Sequence, residues 1–391
     1  MTNRKELIDG MIATGRSSAI AEFDDPVLGP LRLLPGVWKN TEPLKGFGFN
    51  LMALPFVGGS NGFKILMNQY DEDLTFSVAD KGVPNRGLTR DPTTGSPDQT
   101  IVALDYFQKI TQIDSGEFAE SGLHQRFDGQ RIHKEPGLWL HMVDHNTDDI
   151  NIARLGTIPH GNSFLAVGRA PNRKENEEDE DNFGLLENPN DEQLEQLPNA
   201  LIPDINGVVV GGGENPDEID LEPILDPNTG EVLIDYFEPY RHFHENPYKG
   251  KIPIAGFGGF DPVHSTELLR LALKEVLIPI GRIKRVFRLR VDSTLDHAAV
   301  NRFTHTGIIN TPFVVRQADA AAMNSTFLIY EIEDSETGQN RYFLQYAQNV
   351  ILDFIGRPDG HPGRARWPHV SINTMERVSD VIPEALIDSI L

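Results

Sequence analysis

The residues best suited to chemistry are a few histidines in defined settings. His369 heads the alternating segment His369-Val-Ser-Ile-Asn-Thr-Met-Glu-Arg377, just after Arg364-Ala-Arg366-Trp-Pro368. A neutral imidazole there could ligate a metal or move a proton; its structural alternative is a hydrogen-bonded or exposed strand residue. His160 sits in the turn Pro159-His-Gly-Asn162, where loops commonly carry function. His124, in Gly122-Leu-His-Gln-Arg-Phe127, is either an interior-facing group or a satisfied core histidine. Arg364 and Arg366 are cations beside His369, or plain surface charge.

Other clusters point less clearly to a site. His242-Phe-His244 would put two imidazoles on one strand face, with His264 or Glu245 as further metal ligands. His141 and His145 have the i,i+4 spacing of a helical zinc site, but their surroundings read as strand and turn. Gly211-Gly-Gly213 lacks dinucleotide-binding spacing, Gly256-Phe-Gly-Gly259 is equally weak, and no Gly-x-Ser-x-Gly elbow is present. Trp38, Trp139 and Trp367 are packing residues by type.

The elements that must hold these groups are mostly strands. The 391 residues include 35 glycines and 27 prolines, which favours a turn-rich β architecture. With 39% hydrophobic residues the chain can build a sizeable core. Its net charge of −23 disfavours nucleic acid and anionic membranes as partners. The absence of cysteine excludes disulfides, thiolate metal sites and thiolate-ligated haem, so an iron would have to be held by His, Met, Tyr, Asp or Glu. No secretion signal or apolar run of roughly 20 residues is seen, so the expected location is cytoplasmic.

Strand patterns recur between Gly46 and Gly168 and again between Ile283 and Arg377, with Ile283–Val291, Phe313–Arg316, Ser325–Ile332, Arg341–Phe354 and His369–Arg377 in the second run. Thr266 to Val276 has helical apolar spacing; Lys5 to Ile20 and Pro383 to Leu391 are weaker helix candidates. The acidic stretch 175–195 reads as a solvated loop without calcium-loop spacing. The resulting organisation is a 1–27 extension, a first β-run over 28–170, an insertion over 171–282, a second β-run over 283–378 and a terminal helix over 379–391. The expected fold is mainly β: an expanded antiparallel barrel closed by both β-runs, with two separate barrels as the alternative. Period-2 alternation puts Ser371, Asn373 and Met375 on the strand face of His369.

Three segments resemble the nitrobindin family, compact haem-binding β-barrels related to lipocalins and fatty-acid-binding proteins. Pro35-Gly-Val-Trp38 with Gly46-Phe-Gly-Phe resembles its opening. Leu123-His-Gln125 and Glu135-Pro-Gly-Leu138 resemble its central segment, and His369 to Arg377 its closing strand. The likeness spans roughly 28–168 and 283–378. Ile158 to Ser163 and Trp367 to Ser371 are also similar to stretches of larger bacterial haem-binding, peroxidase-like proteins. The resemblance implies a calycin-like form for the barrel, haem b as cofactor, His369 as axial ligand, Arg364 and Arg366 as propionate partners, His124 in the pocket and His160 as a distal group. It also implies peroxidase-like or peroxynitrite isomerase-like chemistry. An iron-free carrier of an apolar small molecule is the second reading. A third is an interaction module whose acidic 175–195 segment docks a basic partner.

Overall fold

A computed structural model describes residues 13, 15–59, 62–86, 98–122, 127–143, 150–168, 170, 185–197, 224–252, 254, 256–262, 265–295, 307–312, 318–356 and 364–381. Among these the strands are β1 (Ser17–Ile20), β2 (Gly36–Lys39), β3 (Gly48–Pro55), β4 (Phe63–Arg86), β5 (Asp98–Phe118), β6 (Arg131–Met142), β7 (Ile152–Ile158) and β8 (Asn162–Gly168). They continue with β9 (Leu185–Glu187), β10 (Ile224–Leu225), β11 (Val232–Ile234), β12 (Gly281–Asp292), β13 (Ile308–Asn310), β14 (Asp319–Asp334), β15 (Asn340–Gly356) and β16 (Arg364–Ser379). The protein is mainly β, as its composition and alternation predict.

Ten strands form an antiparallel, barrel-like ring in the order β8-β7-β6-β5-β4-β2-β16-β15-β14-β12. Asp292 of β12 lies opposite Val167 of β8 and joins the two ends. The two β-runs therefore share one sheet, because β2 and β3 of the first run, both paired with β4, flank β16 of the second. Strand β4 spans 24 residues and bends through register shifts at Gln69/Tyr70, Phe76/Ala79 and Asp80/Val83, which let so long a strand follow the curve.

One apolar cluster draws a buried residue from every ring strand, from Trp38 and Phe76 through Trp139, Phe164 and Leu289 to Phe327, Leu344 and Met375, and so marks the ring's interior. The turn Pro26–Leu31 adds Leu28 and Leu31 to it. A second cluster joins the outer face of the ring to the insertion: Phe49, Ile65, Phe343 and Ile372 pack with Phe243, Phe260, Leu268 and Leu269. Helix Glu238–Glu245 supplies Phe243, the helical stretch from Glu267 to Ile280 supplies Leu268 and Leu269, and Phe260 sits in a β-bridge with Tyr248. Trp367, on the same period-2 face of β16 as His369 but nearer the strand's start, anchors this cluster, with ring centroids 4.1 Å from Phe63, 5.9 Å from Tyr236 and 6.3 Å from Tyr240. Trp367→Ala should therefore cost about 3–5 kcal/mol. Urea unfolding would measure the loss, and hydrogen exchange should show faster opening of Glu238–Glu245 than in the parent protein.

Several expectations change. Ser17–Ile20, read as the end of a helix, is a strand paired with Val78–Lys81. His242-Phe-His244 lies in helix Glu238–Glu245, not a strand, so two residues' separation turns the imidazoles to different sides: His242 stacks on Phe118 and His244 faces Asp261 at 3.0 Å. Within the acidic stretch, Asp191–Gln196 begins a helix capped by Asn190. The Phe313–Arg316 strand, the Pro383–Leu391 helix, Gly211–Gly213, His145 and His264 lie outside the described residues. Among the described residues no helix is long and apolar enough to cross a membrane.

Candidate functional site

Above the apolar floor of the ring, the inward-facing side chains become polar. On β6 the alternation runs His133, Glu135, Gly137, Trp139, and Trp139 belongs to the interior cluster, so His133 and Glu135 face inward. On β16 the same parity joins Met375 and Asn373 to His369. The polar stretch beside His369 thus lies between Met375, in the interior cluster, and Trp367, on the same face but in the insertion cluster; the effect of the inward-facing His133 on His369 places His369 towards the interior. The buried polar groups of this layer are held in hydrogen-bonded networks, which is what makes such a layer tolerable.

One network centres on Glu72 of β4. Its Oε1 accepts from Gln108 Nε2 at 2.7 Å, and its Oε2 accepts from Tyr346 Oη at 2.6 Å and Asn373 Nδ2 at 2.9 Å. Tyr70 Oη lies 3.0 Å from Tyr346 Oη and donates to the Ile372 carbonyl. Burial raises the Glu72 carboxyl above the usual range despite these donors. The glycine of Gly46-Phe-Gly48 has a packing reason: a Cβ on Gly48 would stand 2.3 Å from the Tyr70 ring.

The second network is a buried ion pair. Arg154 of β7 donates from Nη2 to Glu135 Oε1 at 2.8 Å, from Nη1 to Gln348 Oε1 at 2.8 Å and Ser325 Oγ at 3.1 Å, and from Nε to Tyr106 Oη at 3.1 Å. Tyr106 donates to Glu135 Oε1. The guanidinium is also flanked by the rings of Tyr106, Trp139, Phe164 and Phe327. Burial alone would push the Glu135 carboxyl up, but Arg154 and then His133 bring it down to about 2. Gly137 and Gly156 leave room for Tyr106, whose atoms would lie 2.5 and 2.7 Å from Cβ atoms added there.

Three imidazoles complete the layer. His160, in the β7–β8 turn, lies with its ring nearly parallel to that of His133, centroids 5.8 Å apart. Burial and then His133 lower its pKa. His369 has its Nε2 buried and without a hydrogen bond. Burial, then His133 and His160, bring its pKa down to about 4, so it is neutral at physiological pH. The mutual influence places all three in one electrostatic neighbourhood.

This neutrality has a stability consequence. The native pKa of His369 lies below the ordinary 6.5, so the unfolded chain binds the proton more readily. Stability from this group is complete above about pH 6.5 and falls as pH drops towards 4, by up to roughly 3 kcal/mol before solvent screening. Urea unfolding from pH 7 to 4 should show a steeper loss for the parent protein than for His369→Gln; parallel curves would refute it.

Of the residues singled out in the sequence, the structure brings together His369 and His160. His124 lies outside the described residues. Arg364 and Arg366 are exposed on the strand face opposite His369, with Arg366 Nε 3.3 Å from Asp353 Oδ1. His133, Arg154 and Glu72 were missed, and Glu135 was noticed only as part of a resemblance. A period-2 reading of His133-x-Glu135-x-Gly137-x-Trp139 would have found the first pair; the partners on other strands leave no local signal. Among the described residues no group of three His, Asp or Glu side chains is arranged to hold a bare metal ion. Compared with family models, curated proteins and solved structures, the chain shows no match in any of the three.

Proposed function

We propose that the ring binds haem at its polar inner layer, with the His369 imidazole as axial ligand, His160 on the distal side and peroxide or nitrogen-oxide chemistry at the iron. The observation that carries this reading is the buried Nε2 of His369, which has no hydrogen bond on an imidazole held neutral. Leaving such an atom unpaired costs about 1–3 kcal/mol, and the neutral ring is the form that ligates a metal. The likeness of the closing strand to that of nitrobindins supports the same assignment.

Haem would supply the redox chemistry; the chain fixes ligation, proton movement and access. Arg364 and Arg366 point away from His369, so we assign the propionates to neither. The iron-free carrier reading finds less support, because the inner layer around His369 is polar: Asn50, Asn68, Ser371 and Asn373 share that face by register. The test is titration of the protein with hemin. A saturable 1:1 complex with a shifted Soret band is expected; a spectrum indistinguishable from free hemin would overturn the proposal.

A further inference from the structure

We propose that His133 and Glu135 form a proton-transfer dyad, with His133 taking the proton of a small hydroperoxide bound in the ring interior. The nature of the proton donor rests on the haem reading above; the dyad rests on geometry of its own. Nε2 of His133 stands 3.5 Å from Oε2 of Glu135, and that oxygen has no hydrogen bond. A distance slightly beyond hydrogen-bond length is ordinary for a catalytic pair before its ligand arrives. The carboxylate cannot turn away, because its Oε1 receives Tyr106 Oη and Arg154 Nη2, the latter at 2.8 Å.

This is the division of labour of a histidine–carboxylate pair. The buried anion fixes the ring and balances the imidazolium that forms; the ring's other nitrogen meets the substrate. With Nε2 turned to Glu135, Nδ1 of His133 is left for the ligand, and the side chain keeps 20% of its surface open. His160 lies beside the ring, nearly parallel to it, with centroids 5.8 Å apart. The charged or titratable groups acting around His133 are Glu135 on its own strand, Glu72 on β4, His160 in the β7–β8 turn and His369 on β16.

In the step, the hydroperoxide O–H bond breaks and its electron pair stays on oxygen. The proton moves to Nδ1 of His133, leaving a hydroperoxide anion and an imidazolium facing the Glu135 carboxylate. No electron changes hands. Glu135 acts as a positioning residue, since its open oxygen faces His133 and its other oxygen is occupied.

Two measurements test this. In stopped-flow mixing of the hemin-loaded protein with hydrogen peroxide, His133→Gln should slow the first spectral change by about 100-fold or more with hemin affinity unchanged. Added imidazole should restore much of the rate in His133→Gly. An unslowed His133→Gln protein would overturn the proposal. Independently of hemin, 15N NMR of the histidine rings, with His133 assigned through His133→Gln, should show the proton on Nε2, and Glu135→Gln should erode that preference. A proton on Nδ1 would refute the dyad even if hemin binds. Failure of hemin to bind would sink the haem reading alone, and the tautomer would then decide the dyad.

Discussion

His369→Ala should weaken hemin binding by at least ~100-fold and shift the spectrum of whatever complex remains. Outer-layer partners of metal ligands already account for 10–100-fold in affinity, and loss of the ligand itself should exceed that. The same substitution should leave the apo fold intact. It removes no hydrogen bond from Nε2, and it relieves the cost of holding a neutral imidazole in a desolvated place near two others. Hemin titration followed at the Soret band measures the first effect; circular dichroism and urea unfolding at pH 5 measure the second. A variant that binds hemin with unchanged affinity and spectrum would remove His369 from the site. Unfolding of the variant would instead make it a packing residue.

Arg154→Met should be the most destabilising single change at the site. It leaves Glu135 buried without its main counter-charge, with Gln348, Ser325 and Tyr106 also losing a partner. Breaking one side of a buried pair typically costs 3–5 kcal/mol, against a total of about 5–15 kcal/mol for a domain. Replacing both members, as in Glu135→Met with Arg154→Met, should recover much of that loss, because no uncompensated charge stays inside. Urea unfolding of both single variants and the double variant closes the cycle. Additive losses would show that the two groups are not coupled, contrary to their 2.8 Å contact.

The β character of the chain was legible in short-range pattern. Gly281–Asp292, Asp319–Asp334 and Asn340–Gly356 contain segments whose alternation gives them away, because a strand's side chains repeat every two residues whatever it pairs with. The Thr266 helix signal was equally local, and Glu267 to Ile280 is helical. Ser17–Ile20 was misread because a four-residue exposed strand takes its structure from β4 and has no pattern of its own. His242-Phe-His244 was misread because two polar residues flanking an aromatic fit either period; Pro239 at the first helical turn was the missed cue.

What the sequence determined by itself was the kind of element and the short list containing His369 and His160. It also placed Ser371, Asn373 and Met375 on the face of His369, but not whether that face points into the ring or out. Only the tertiary structure decided that: Met375 joins a cluster fed by all ten ring strands, Trp367 further along the same face joins the insertion cluster, and His369 between them comes under the influence of His133 and His160. It also decided that a polar face can be an interior one: Glu72, Gln108, Tyr346 and Asn373 satisfy each other across β4, β5, β15 and β16. Those contacts join residues up to 301 positions apart, and hydrogen bonds over such separations leave no trace in local periodicity. The site is therefore a product of ring closure, which brings His133, His160 and His369 together from three separate stretches of chain.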